Sequence, residues 1–343
     1  MEKQEQSMDV FHAVVSLEDQ PDHFASLQAA LDAAPKDGSL YRIHIHAGRY
    51  HERVCIRRDN VEIVGAGAES TIIYAQVCAG MLEHGGQLVS TLGSRVVEVA
   101  AVSITLKKLS IVNQWDYIKN ALKHPDDPTK TMHPQAIALL LSDKSDHVFL
   151  EHVNLESYQD TFCTQGKKSH LTHCKISGNI DFVFGCGESL IERCDIVCRA
   201  WPSQSKVWGY IAAPSTSIHQ DNGLTFLRCR VIRENNQVPK HSYALGRPWH
   251  PTKTFDDGRY ADPDAIGKAV FIECELDDHI YGWDKMHGLA KDGSKRYFQP
   301  DKDARFHEAN NYGSGANQNV GLQADKKHPI FTKLPCRDKS RPT

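Results

Sequence analysis

The sequence predicts an all-β chain wound as a solenoid, a parallel β-helix with a short N-terminal capping helix and long loops. Three observations predict it. A short strand-like unit recurs, its first copies lie about twenty residues apart, and helical patterning is confined to one stretch near the N-terminus. The 343 residues suffice for a sizeable core. One domain over residues 1–343, with its core over about 10–335, holds the whole pattern.

The recurring unit comes first. Five segments align: FLEHVNL (149–155), HLTHCKI (170–176), LIERCDI (190–196), FLRCRV (226–231) and FIECEL (271–276). In each, polar residues surround a small apolar one: Val153, Cys174, Cys194, Cys229 and Cys274. An earlier segment, ITLKKLSI (104–111), puts Leu109 there. The first intervals are 21 and 20 residues; the later ones, 35 and 45, leave room for loops or extra coils. Period-two alternation makes these units strands. Coils stack at about 4.8 Å, so equivalent residues form ladders. Cys229 and Cys274 then read as reduced core filler. Cys174 and Cys194, one coil apart, have a Cα separation that fits a possible disulfide, depending on compartment.

The ends and insertions differ. DHFASLQAALDAAPKD (22–37) has helical spacing up to Pro35 and is expected to cap the open end of the solenoid. NQWDYIKNALKHPDDPTKTMH (113–133) and HPTKTFDDGRYADPDAIG (250–267) read as long polar loops, either binding walls or decoration.

Composition excludes several function classes. A net charge of −3 with no basic run argues against nucleic acid, and no apolar stretch is long enough to span a bilayer. The N-terminus, MEKQEQSMDVFHAVV, lacks a signal-peptide core. The cysteines form no C-x-x-C pairs, and the nineteen histidines no HExxH motif, so no metal site is expected.

Two acids carry the chemistry. Asp181 lies among Ile180, Phe182, Val183 and Phe184, where an ionised group is costly unless paired. Asp160 precedes it by 21 residues, the interval from Val153 to Cys174, so the two stack on adjacent coils. Like charges that close push one pKa up, giving one acid and one base or nucleophile. The alternative is two solvated surface acids. Gln159, Gln135, Arg247, Phe184 and Trp249 favour the first reading, because together they supply the parts for acyl transfer at an ester.

These residues carry a resemblance to the pectin methylesterases, bacterial-type. The matching pieces are QAIAL (135–139), YQDTFCTQ (158–165), GNIDFVFG (178–185), LGRPW (245–249) and YGWDKM (281–286). The resemblance implies a right-handed parallel β-helix that removes methyl groups from the C6 esters of polygalacturonate and releases methanol. It makes Asp181 the nucleophile and Asp160 the general acid and base. Gln159 and Gln135 stabilise the oxyanion, and Arg247 holds the nucleophile. Trp249 and Phe184 line the sugar subsites, with Thr91, Thr252 and Met286 as further substrate contacts. One departure is Cys163, where the family usually has an aromatic. The resemblance implies no cofactor, a monomer acting on methyl-esterified homogalacturonan or its oligomers, and secretion, although the chain as given shows no export signal.

Three rivals remain in view. Lyases and glycosidases of pectin share the β-helix, but a lyase needs a calcium-binding acid cluster and a glycosidase its own acids. A related esterase or thioesterase would keep the acid pair on a different or oligomeric substrate. A non-catalytic carbohydrate-binding solenoid would be expected to lose the dyad or arginine.

Overall fold

The computed structural model describes residues 10–82 and 85–316; residues 317–335 of the expected core lie outside it. Parallel strands stack coil upon coil. One sheet has eight of them, in order Val54–Ile56, Val97–Val99, Leu139–Leu141, Phe162–Thr164, Ile180–Gly185, Gly209–Pro214, Tyr243–Gly246 and Ile280–Trp283. The remaining parallel strands form a 17-stranded sheet that bends round a corner. This is the expected parallel β-helix.

The repeat register is as the alignment predicts. Val153 pairs with Leu109, and the flanking pairs Lys175 with Asp195, Asp195 with Arg230 and Arg230 with Glu275 put Cys174, Cys194, Cys229 and Cys274 on successive rungs. The 35- and 45-residue intervals are therefore single coils enlarged by loops. All four thiols are buried in the main core, beside fully buried Ile43, Leu150, Phe226 and Phe271. Each such aliphatic or aromatic side chain contributes about 1.5–3 kcal/mol by leaving water. Phe226 and Phe271 stack at 4.2 Å, close to the coil spacing.

The residue before each ladder position is left-handed: Lys108, His152, His173, Arg193, Arg228 and Glu273 have φ between 52° and 54°. This is the corner of the coil. It explains why a polar residue always precedes the small apolar one: the corner points to water while the next side chain turns inward.

The possible bridge between Cys174 and Cys194 is not formed, and both are free. Parallel stacking holds equivalent Cβ atoms at about the coil spacing of 4.8 Å, beyond the 3.5–4.5 Å of a disulfide, although the Cα criterion is met. Instead the Cys174 amide N–H donates to Cys194 Sγ at 3.3 Å.

The N-terminal helix is Leu27–Asp32, shorter than the pattern suggested, with Leu27, Ala30 and Leu31 buried. Ser26 accepts from the Ala29 amide, and the Glu52 carboxylate accepts from the Leu27 and Gln28 amides. Both expected polar loops contain regular structure. The first holds a helix, Tyr117–Leu122, with Asp116 accepting from Lys119 N–H. The second is a hairpin, Thr252–Phe255 with Gly258–Ala261, turned by Asp256 and Asp257. Short elements packed on a larger body need less periodicity than the sequence reading demanded.

Candidate active site

The two carboxylates stand at the amino edge of the eight-stranded sheet. Phe162 pairs with Val183, so Asp160 faces Asp181 one coil apart. The Asp160 amide donates to the Ile180 carbonyl at 3.0 Å, which straps the coils together. Both residues are left-handed, with φ of 67° and 51°. Aspartate tolerates that region better than most residues, and the corner aims both side chains away from the core. A bulge adds to this at Asp181. Ile180 pairs with Tyr210 but Val183 with Ala212, so Asp181 and Phe182 oppose Ile211 alone.

Asp181 is only 8% exposed. Its carboxylate accepts from Arg247 Nε at 2.8 Å and from Arg247 Nη2 at 2.6 Å. This planar fork answers the cost of burying a charge among Ile180, Phe182 and Phe184. Arg247 is seated by the preceding residue. Gly246 lies so near the Ala212 carbonyl that a Cβ would collide, and the Arg247 amide donates to that same carbonyl at 2.9 Å. The guanidinium lies over the Tyr210 ring, 3.8 Å from its centroid. Burial alone would lower the Arg247 pKa; the charge and hydrogen bonds of Asp181 outweigh it and the pKa is raised.

Asp160 is buried too, but no fork holds it. Burial first, and the Asp181 charge second, hold its carboxyl well above the usual carboxylate range, against the Arg247 charge and the Gln159 amide. Gln135 and Gln159 lie on neighbouring coils, since the Gln159 carbonyl accepts from the Ala136 amide at 3.1 Å. Gln135 Oε1 is buried without a hydrogen-bond partner among the described residues.

Alternation puts Leu139, Phe162, Val183 and Ala212 inside the core, and Leu140, Cys163, Phe184 and Ala213 on the opposite face in a separate apolar cluster. Trp249 packs on this cluster and meets Phe184 edge-on at 5.6 Å. Cys163, standing where an aromatic was expected, is fully buried within it. Burial pushes its thiol pKa well up. The other expected contacts sit on separate segments. Thr91 precedes the turn Leu92–Ser94, which is tied to the Gln135 segment because Ser94 Oγ accepts from the Ile137 amide at 3.2 Å. Thr252 is exposed at the start of the hairpin, and Met286 begins the half-buried strand Met286–Leu289.

Sequence reasoning missed an aromatic group beside Asp160. Tyr117 stacks on Tyr158 at 5.1 Å and meets Trp201 edge-on at 5.7 Å. The Arg199 guanidinium covers Tyr158 at 3.8 Å. Burial, with the Asp160 charge as a smaller cause, pushes the Tyr117 hydroxyl to about 12. Tyr210 was missed as well. Trp115 and Tyr117, two aromatics inside an otherwise polar stretch, were the available signal. The described residues contain no cluster of metal-ligating groups.

This arrangement sits in a chain with known relatives. The family model for Pectinesterase matches residues 12–333. Pectinesterase A of Dickeya dadantii (strain 3937) is 41% identical over 316 residues, which cover 91% of this chain and 86% of that protein. The solved pectin methylesterase from Yersinia enterocolitica is similar at a TM-score of 0.88 and 44% identity, covering 91% of this chain and 98% of that one. A pectin methylesterase solved in complex with hexasaccharide VII is similar at a TM-score of 0.89 and 40% identity, covering 92% of this chain and 93% of that one.

Proposed function

The chain belongs to the pectinesterase family and demethylesterifies pectin, and from that premise we propose how its own residues do so. Asp181, oriented by the Arg247 fork, attacks the C6 carbonyl of a methylated galacturonate. The amides of Gln135 and Gln159 receive the developing oxyanion, at about 3 kcal/mol per well-placed donor. The tetrahedral adduct collapses, the bond to the methoxy oxygen breaks, and Asp160 gives its proton to departing methanol. Water then attacks the acyl-enzyme and returns a proton to Asp160. The C6 carboxylate leaves and Asp181 is free again.

One observation carries this assignment: Asp181 in a bidentate guanidinium fork beside a carboxyl whose pKa is held high. The Phe184–Trp249 pair supports a sugar ring beside the dyad. Every group in the scheme comes from one chain, which supports action as a monomer. The polymer that the reading assigns as substrate supports work outside the cell; no helix among the described residues is long and apolar enough to cross a membrane. The test is methanol release from methylated pectin by the wild type and by Asp181→Asn. A folded Asn variant with wild-type turnover would overturn the nucleophile assignment.

A further inference from the structure

The insertion at 113–133 is held at both ends and folded back on itself. At its root the buried Asn113 side chain donates to the Val77 carbonyl at 2.8 Å and to the Ser94 carbonyl at 2.9 Å. Just past its far end the Gln135 carbonyl accepts from the Ala79 amide at 2.8 Å. Between them Asn120 clips the loop shut. Its Nδ2 donates to the Thr131 carbonyl at 3.1 Å, and its Oδ1 accepts from the Thr131 amide at 2.9 Å. Tyr117 and Asn120 stand three residues apart on the helix Tyr117–Leu122, so they share its buried face. The clip therefore fixes the face that carries the Tyr117 ring.

That ring completes a stack. Tyr117 lies parallel to Tyr158 within 9° at 5.1 Å, and the Arg199 guanidinium sits 3.8 Å from the Tyr158 centroid. Arg199 is itself pinned, donating to the Ser157 carbonyl at 3.0 Å and to the Glu234 carboxylate at 3.2 Å. Ser157 and Tyr158 lead directly into Gln159 and Asp160, so the stack grips the backbone just before the acid. The Tyr117 hydroxyl lies against the buried Asn179 side chain and feels the Asp160 charge. Among the described residues the charged groups that face Asp160 are Asp181 and Arg247; Gln159, Tyr117 and Cys163 face it as neutral groups. The Tyr117 hydroxyl keeps its proton up to about 12 and the Cys163 thiol well above the usual thiol range, so neither adds charge while Asp160 titrates.

We propose that Tyr117 is a positioning residue for Asp160: its ring closes the side of the site next to that carboxyl and keeps water from it, so that Asp160 holds the proton it gives to methanol. The proposal rests on the ester hydrolase reading above, in which Asp160 is the acid. Burial is the first cause of the high Asp160 pKa, and an apolar ring fixed beside the carboxyl supplies part of that burial. Opening that side lets water solvate the carboxylate and favours the charged form. The Asp160 pKa then falls. The alkaline limb of the kcat profile, which reports the proton in the enzyme–substrate complex, moves to lower pH. Loss of the Arg247 charge acts in the opposite direction, so the two effects are separable by sign.

The experiment measures methanol release from methylated pectin across pH for wild type, Tyr117→Ala, Tyr117→Leu, Tyr117→Phe and Asp160→Asn, with a melting curve for each. Tyr117→Ala should move the alkaline limb of kcat down by about one pH unit or more. Tyr117→Leu fills the same space but stops short of the hydroxyl end. It should move the limb the same way by less, and it is the deciding variant should the alanine protein fail to fold. Tyr117→Phe keeps the ring and should keep the wild-type limb. A merely structural role would lower the melting temperature and scale the whole profile without moving the limb. A folded Ala variant, or in its place a folded Leu variant, with an unmoved limb overturns the positioning role alone. So does a Phe variant shifted as far as Ala, which would assign the effect to the hydroxyl. Asp160→Asn should lose at least about a hundredfold in rate. An Asn variant that keeps the wild-type rate and alkaline limb overturns Asp160 as the acid, and the positioning role with it.

Discussion

At the residue scale the decisive contrast is between two aspartates one coil apart. Asp181 has a guanidinium fork; Asp160 has burial and a like charge. Asp181→Asn keeps the shape but loses the carboxylate oxygen that the proposed mechanism uses as nucleophile. We expect methanol release to fall by at least about a thousandfold with an unchanged melting curve. Arg247→Lys keeps a charge but loses the two-point hold, so kcat should drop by about tenfold to a hundredfold. Arg247→Ala does more. The Arg247 charge lowers the Asp160 pKa, so its loss lets Asp160 hold its proton to higher pH. The alkaline limb of the rate profile, which in the proposed mechanism reports loss of the Asp160 proton, should therefore move up. A pH profile of residual activity that kept the wild-type alkaline limb would show that Arg247 does not act on Asp160.

At the element scale the coil corner explains the repeat better than strand propensity does. A left-handed polar residue turns the chain, and the next side chain falls onto an inner ladder. That ladder holds four stacked thiols whose parallel Cβ directions oppose bridging. Alkylation of unfolded protein, with and without prior reductant, should find Cys174, Cys194, Cys229 and Cys274 equally modified. Protection of Cys174 and Cys194 before reduction would mean the coils approach more closely than the stacking allows. Cys229→Ala leaves a small void between rungs and should cost roughly 1–2 kcal/mol in denaturant unfolding.

At the scale of the whole molecule, stability has a built-in acid sensitivity. His279 is fully buried, with neither ring nitrogen hydrogen-bonded among the described residues and Asp277 3.9 Å away. Burial lowers its pKa to about 4, against the partial help of Asp277. In the unfolded chain the imidazole takes a proton near pH 6.5, so its contribution is complete above that value. It is lost progressively as pH falls from about 6.5 to 4, by about 3 kcal/mol in all. Melting temperatures over that range should fall, and His279→Gln should flatten the decline. An equally steep decline in the variant would assign the acid sensitivity to other groups.

The sequence by itself determined the solenoid, its register and the stacking of Asp160 on Asp181. These follow from spacing along the chain, which a parallel coil converts directly into height. The motifs also named Arg247, Gln135, Gln159, Phe184 and Trp249, because each lies in a short stretch that carries the family resemblance. Only the tertiary structure decided what no interval encodes. It set which atoms of Arg247 meet which oxygens of Asp181, and it placed Tyr210 beneath the guanidinium. It brought Tyr117 from a polar insertion to the side of Asp160, and it left Cys174 and Cys194 in contact but unbridged. The physical reason is one of direction. Sequence spacing sets where a Cα lies along a coil, whereas the left-handed corners at Asp160 and Asp181, the bulge at Asp181 and the loops that fold back over the coils set where the side chains point.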